Sequence, residues 1–297
     1  MTPRLSVLDQ SPVVEGGTPV DALRATVRLA AEVDQLGYTR YWLAEHHASP
    51  GFASTAPEVL AGVVLANTRH LRVGSRGVLL SRYPPAKVVE TFALLSAIYP
   101  GRVDLGIGRT GGPAQDFPRK VAAVLTGLDV PVPPQVWLLG SGTSSAELAA
   151  ELGTAYCHAH CLNPLSTQDA LVAARLSDAA KAVAVRVFVA DTEAEASSLA
   201  RGFLLWRSRK DLGDDQPLPA PDTVSEHRWS PAESARADVH LPSVVYGAPE
   251  QVRDTLVTLA ARHGVDEIVV NTLIHDEAAR LRSYRLLAEA CTPSRVP

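Results

Sequence analysis

The chain has 297 residues, of which 46% are hydrophobic and 20% charged, and its formal net charge is −4. That balance argues against a nucleic-acid groove or a disordered acidic tail and for a small-molecule partner. The three cysteines (Cys157, Cys161 and Cys291) cannot all pair. The amino-terminal residues carry no signal-peptide pattern, and no apolar run approaches the ~20 residues that span a bilayer, so a reducing cytoplasm is the expected setting.

Short apolar runs alternate with longer amphipathic ones. The pattern predicts a strand at 5–8, then a helix over 20–36 with Leu23, Val27, Ala30, Ala31 and Val33 at helical spacing, stopped by Gly37. A strand at 41–44, a helix over 56–68, a strand at 71–80 and a helix over 86–98 opened by Pro84-Pro85 come next. Further strands are expected at 103–107, 136–139, 155–159, 184–189 and 267–273. Helices are expected near 115–125, 144–152, 166–180, 192–208, 249–263 and 275–290. Eight strands interleaved with helices predict a single (β/α)8 TIM barrel over residues 1–297, with a doubly wound sheet as the competing α/β arrangement. Residues 209–243 hold five prolines (Pro217, Pro219, Pro221, Pro231 and Pro242) and little periodicity. They read as a long excursion before the eighth strand, expected to act as a lid over the barrel mouth.

The most informative stretch is Tyr41-Trp42-Leu43-Ala44-Glu45-His46-His47, an apolar strand that ends in three titratable side chains. Polar groups crowded at the carboxyl end of a buried strand are costly to desolvate, and an α/β barrel builds its active site there. The segment Gly101-Arg102-Val103-Asp104-Leu105-Gly106-Ile107-Gly108-Arg109 ends another strand in a lone guanidinium. Beside it, the run from Leu138 through Gly140, Ser141, Gly142, Ser144 and Ser145 is a strand turning into a helix. Unsatisfied N–H groups at such a helix start hold an anion, although a single hydroxyl capping the helix is a simpler use of the same residues. Arg109, on the neighbouring strand, favours a phosphate, which a guanidinium binds through two parallel hydrogen bonds.

Several segments, taken in order, resemble the bacterial luciferase-like flavin-dependent monooxygenase family: Leu-Ser-Val-Leu-Asp-Gln-Ser-Pro at 5–12, Tyr-Trp-Leu-Ala-Glu-His-His at 41–47, Pro-Glu-Val-Leu-Ala at 57–61, Leu-Arg-Val-Gly-Ser at 71–75, the block at 101–109 and Trp-Leu-Leu-Gly-Ser at 137–141. Gly-Ala-Pro-Glu-Gln-Val at 247–252 and the block at 280–288 extend the resemblance over nearly the whole chain. The resemblance implies a luciferase-like barrel that binds reduced FMN supplied by a separate flavin reductase. It would use dioxygen, through a C4a-peroxyflavin, to oxidise a small hydrophobic or aromatic substrate, commonly as a homodimer. It further implies acid/base chemistry at His46 with Glu45 beside it. Flavin contacts are implied at Arg109 and at Gly140, Ser141, Gly142, Ser144 and Ser145, and a non-proline cis peptide at Arg76-Gly77 beneath the ring. An ordinary histidine pKa near ~6.5 suits His46 to proton transfer around neutral pH. A deazaflavin such as F420 is the alternative cofactor, since its phosphate end fits the same turn.

The chain also departs from the family pattern. Arg76-Gly77 stands where two glycines are common, and Ser81-Arg82-Tyr83 where Pro-His-Tyr is common; the extra guanidiniums suggest an acidic or phenolate-like substrate, with Arg82 and His160 as candidate contacts. Asp116-Phe117-Pro118 follows Arg109 almost at once, a shortening shared by flavoproteins that bind without turnover, so a non-catalytic flavin-binding protein is the second reading. The third is a metal-dependent hydrolase, because alternation along Cys157-His158-Ala159-His160-Cys161 puts two histidines on one strand face. Trp206 and Trp229 are candidates to cap the cavity.

Overall fold

The computed structural model describes residues 2–109 and 115–292. The first half of the chain is regular βα alternation: β1 (Arg4–Asp9), α1 (Pro19–Gln35), β2 (Arg40–Leu43), α2 (Pro57–Asn67), β3 (Arg72–Leu79), α3 (Pro85–Ile98), β4 (Val103–Gly108) and α4 (Phe117–Gly127). It continues through β5 (Gln135–Gly140), α5 (Thr143–Glu151), β6 (Ala155–His158), α6 (Thr167–Ala174), β7 (Lys181–Val189) and α7 (Glu193–Asp211). Then come α8 (Pro221–Glu226), α9 (Pro231–His240), β8 (Val244–Gly247), α10 (Pro249–His263), β9 (Glu267–Asn271) and α11 (Glu277–Cys291). Every strand pairing is parallel, and β1 through β7 followed by β9 close into an eight-stranded ring, which makes the fold a (β/α)8 barrel. β8 is an additional strand on the carboxyl half of β7, with Arg186–Val189 of β7 opposite it.

Side-chain alternation divides the barrel wall. Outward residues such as Val7, Tyr41, Leu43, Leu105, Ile107, Leu138, Val183 and Val185 bury against helix residues such as Leu29, Val64, Phe92, Val121 and Leu256. Inward residues form a separate cluster of Leu8, Trp42, Trp137, Cys157, Ala182, Ala184 and Val269, in which Trp42 and Trp137 meet edge to face at 5.0 Å. Below that layer the barrel is plugged by ions. Arg40 pairs with Asp104 and Glu267, each at 2.8 Å, while Trp42 Nε1 and Arg72 also donate to Asp104. The inside is therefore filled at its amino-terminal end, and functional groups are confined to the carboxyl-terminal mouth.

The excursion expected to lack structure is largely helical. Pro221 and Pro231 each occupy the first turn of a helix, where the missing N–H costs nothing, so these prolines start α8 and α9 and break no helix. Ser230 and Glu233 form a capping box that fixes the start of α9. The segment between α7 and α8 reaches the mouth: Leu218 exchanges backbone hydrogen bonds with Val13 and Glu15, and Asp215 accepts from Ser49. No helix among the described residues is long and apolar enough to cross a membrane.

Candidate active site

Burial governs the chemistry at the end of β2. His46 stacks on Phe52, and the Gln10 amide nitrogen lies 3.0 Å from its Nε2. Gln10 donates this bond, so Nε2 accepts and the ring proton sits on Nδ1. Desolvation, reinforced by Lys210 and His47, lowers the His46 pKa to about 4. That is well below the near-neutral value expected from the sequence, so His46 is an unprotonated base at neutral pH.

Glu45 is committed elsewhere. It is only 6% exposed, and it accepts from the Leu79 backbone N–H at 2.8 Å and the Tyr83 hydroxyl at 2.9 Å, with His47 Nε2 at 2.5 Å. Its carboxylate ties the β2 end to the end of β3 and so positions the mouth. Arg82 is exposed, and its backbone N–H returns to Leu79.

The Arg76-Gly77 peptide is cis, at the place the sequence marked. Gly77 lies against β4 so closely that a Cβ there would come within 2.6 Å of Gly108 N, whereas a Cβ on Gly108 would meet nothing nearer than 3.9 Å. Gly77 thus has no room for a side chain against β4 and Leu139, and the β3 and β4 ends meet there through bare backbone. Arg76 itself turns into the barrel, where its Nη2 reaches Cys157 Sγ at 3.9 Å.

One strand further on, α5 begins at Gly142 with no side chain capping it, so the simpler reading of its hydroxyls is not realised and its first N–H groups stay open. Ser144 is exposed and Ser145 half-buried. Gly140 is required, because a Cβ there would sit 2.3 Å from Ser145 Oγ. The Ser141 carbonyl accepts from Asn163 and Ser166, which hold the turn. Arg109 is exposed at the end of β4, and continuing the Ile107–Leu138 register puts it level with Gly140. The shortened segment after it falls at residues 110–114, outside the described residues.

The sixth strand corrects the expectation of inward histidines. Cys157 faces the interior, while His158 points outward between the Tyr156 hydroxyl and the Asn163 carbonyl, both at 3.1 Å. β6 ends there, and His160 bonds Thr167 Oγ1 at 2.8 Å and lies 6.3 Å from His263 of α10. His160 is thus held between the start of α6 and His263 of α10. The His-x-His arrangement of a metal hydrolase is not formed, and among the described residues no cluster of three metal-ligating side chains occurs.

Trp206, a candidate from the sequence, packs beside His46 in an apolar cluster whose other members, Phe52, Phe188, Phe203, Leu218 and Leu273, sequence reasoning missed. Trp206 donates to the Gln216 carbonyl, and Lys210 lies over both Phe52 and Trp206 while pairing with Asp215. Trp229 lies apart from this cluster, under Arg201 and beside His227. A cavity of about 310 Å³ runs between α7, α8 and the end of β9, lined by Leu199, Phe203, Val224 and Ile274 together with Arg201 and Asp276. Gln10 and Arg186 also face the mouth; their signal was parity, since each falls two residues after an inward position.

The cis peptide at Gly77, the uncapped start of α5 level with Arg109 and the neutral imidazole of His46 all lie at the carboxyl-terminal mouth of the barrel. Comparison with known proteins places it more narrowly. The luciferase-like monooxygenase family model matches residues 4–123 and 115–267, and the chain belongs to that family. A luciferase-like monooxygenase of Escherichia coli strain K12 is 35% identical over 95% of this chain and 95% of its own. The crystal structure of apo-MsnO8 is 38% identical, with a TM-score of 0.91 over 97% of this chain and 98% of that one. The oxygenating constituent of 3,6-diketocamphane monooxygenase from Pseudomonas putida, solved in complex with FMN, shares the fold at 16% identity, with a TM-score of 0.70 over 99% of this chain and all of that one.

Proposed function

We propose that this protein is a two-component monooxygenase that takes reduced FMN from a separate reductase and uses dioxygen to oxidise a small hydrophobic or aromatic metabolite. The observation that carries the reading is the uncapped start of α5 level with Arg109 and one strand away from the bare backbone where Gly77 meets Gly108. A phosphate bound there takes two charge-assisted contacts from Arg109 and backbone N–H groups from the helix start, with Ser144 and Ser145 as hydroxyl donors. The cis peptide at Arg76-Gly77 would support the ring system. When bound, the reduced flavin supplies the electron pair that activates dioxygen.

The chain's own residues do the rest. His46, neutral and fixed by Gln10, accepts a proton at the mouth. Glu45 holds the β2 and β3 ends together, and the Phe52–Phe203–Trp206 cluster keeps water away from the reacting atoms. The apolar side of the cavity beside Phe203 suits the hydrocarbon part of a substrate.

We also propose a homodimer. Val59 and Val63 on α2 and Leu94 and Ile98 on α3 are exposed on two adjacent helices, an apolar face that a monomer seldom leaves in water.

The test is a titration of the protein with FMN, riboflavin and deazaflavin F420, followed by mixing the reduced complex with isotopically heavy dioxygen and candidate aromatics. Preference for FMN over riboflavin and label in the product support the reading. Preference for F420 would replace the cofactor, and flavin reoxidation without labelled product would leave a flavin-binding protein.

A further inference from the structure

The buried polar atoms without a partner among the described residues include Gln10 Oε1, Arg76 Nε, Arg186 Nε and Asn271 Oδ1, which belong to one part of the barrel. All four side chains face the interior. Gln10 shares the parity of Leu8, Arg186 that of Ala182 and Ala184, and Asn271 that of Val269, and each of these neighbours lines the inside of the ring. Arg186 and Asn271 are directly paired in the β7–β9 register, and Arg76 reaches inward to Cys157 from β3, on the opposite wall.

Arg186 is the group that needs an explanation. The other deeply buried guanidiniums each have a carboxylate: Arg40 has Asp104 and Glu267, and Arg280 has Asp9. Arg186 is just as buried, at 6% exposure, yet among the described residues no carboxylate pairs with it. Its guanidinium lies 4.0 Å over the Phe203 ring and next to the Cys161 thiol. Burial lowers its pKa to about 10, and Arg76 and Arg207 push in the same direction. A buried charge without a counter-charge is strongly unfavourable, and the nearby charge of the half-buried Arg76 adds to the cost, unless a ligand supplies the missing anion. The two orphaned amide oxygens beside them want hydrogen-bond donors, so the missing ligand carries both an anionic oxygen and a hydroxyl.

We propose that Arg186 and Arg76 form an anion-recognition subsite inside the barrel, and that the molecule oxidised at the mouth is a hydroxylated aromatic acid or a comparable phenolate. Its charged oxygen is taken by the two guanidiniums, and its hydroxyl donates to Asn271 or Gln10. That this molecule is oxidised rests on the monooxygenase reading above; the subsite itself does not. Arg76, which the sequence set among the flavin contacts and also among the extra guanidiniums suggesting an acidic substrate, serves the substrate here.

The test uses flavin-free protein and calorimetric titration with 3-hydroxybenzoate and its neutral counterpart 3-hydroxybenzamide. Wild type is expected to bind the acid at least about tenfold more tightly, and Arg186→Met is expected to abolish that preference while raising the thermal midpoint, because an unpaired buried charge is removed. If Arg186→Met does not fold, Arg76→Met, altered on a partly exposed side chain, tests the same loss of preference. Equal affinity for acid and amide in wild type, or a preference that survives in the variants, would overturn the proposal. Reduced FMN is itself anionic on its ring. A variant that weakens reduced FMN while leaving 3-hydroxybenzoate untouched would assign the guanidiniums to the cofactor and overturn the substrate assignment. Acid preference in a protein that binds no flavin would uphold the subsite and sink the monooxygenase reading instead.

Discussion

The imidazole of His46 lies on the ring of Phe52, with centroids 4.1 Å apart and planes 23° from parallel. Phe52 is in turn met edge-on by Trp206, so His46 is shut against an apolar wall and its charged form is disfavoured. The linkage to stability has a definite sign. Above the unfolded value near ~6.5 neither state binds the proton; below it the unfolded chain does, and the native ring refuses until about pH 4. Stability should therefore fall as pH drops through this window, by about 2 kcal/mol at pH 5 from this group. Urea unfolding at pH 7 and pH 5 checks it: a His46→Gln variant should lose measurably less than wild type, and an equal loss would show that the ring is not held neutral.

Removing the guanidinium at the end of β4 should damage cofactor binding selectively. Arg109→Ala is expected to weaken FMN by about 2 kcal/mol, as for a lost charge-assisted hydrogen bond, and to leave riboflavin nearly unchanged. Fluorescence titration reads both. A matching loss for riboflavin would mean that Arg109 does not contact the phosphate.

Gly140→Ala probes the same turn from the other side. The added methyl would collide with Ser145, at 2.3 Å from its Oγ, and must displace the start of α5. FMN affinity should drop by at least about tenfold, again with riboflavin spared, if that helix start binds the phosphate. Unchanged FMN affinity in a folded Gly140→Ala protein would move the phosphate elsewhere.

At the opposite end of the barrel, Asp104 is fully buried and receives Arg40, Arg72 and the Trp42 indole. Asp104→Ala leaves two guanidiniums short of a partner and should cost about 3–5 kcal/mol of stability. Chemical denaturation measures it, and a loss under about 1 kcal/mol would show that the ionic plug relaxes around the gap.

The apolar face of α2 and α3 can be tested by charge. Val63→Glu combined with Ile98→Glu places two carboxylates on residues already exposed, so the fold should survive while the dimer dissociates. Light scattering with circular dichroism separates the two effects; a double variant that keeps the wild-type mass would place the interface on another face.

Most of the ring was legible because its signals are local. The helix starting at Pro57, the one starting at Pro85 and the strands ending at Leu43 and Gly108 each carry their boundaries in three or four neighbouring residues. The cis peptide at Arg76-Gly77 was found through family resemblance and not through any propensity. What stayed hidden needed a third dimension. Alternation says that Cys157 and His158 face opposite ways, but only packing against Trp137 and Ala184 decides that the thiol goes in. Prolines at 221 and 231 look identical whether they break a helix or begin one, and the cap at Ser230 is what distinguishes them. The short β8 and the lone Arg186 were masked by valines around them, which made an unpaired charge look like one more strand position.

β7 is gripped by β6 and β9 over its lower half and by β8 over its upper half. The stretch from α8 to α9 thus leaves and rejoins the wall at fixed moorings, Leu218 against Val13 at one end and Val245 against Val187 at the other. Because closing a loop between fixed ends costs only about 0.6 kcal/mol per doubling of its length, this stretch can gain or lose residues with little strain on the wall. The sequence from 219 to 243 is accordingly the part of the molecule best placed to vary in length, and with it the rim that incoming molecules meet first.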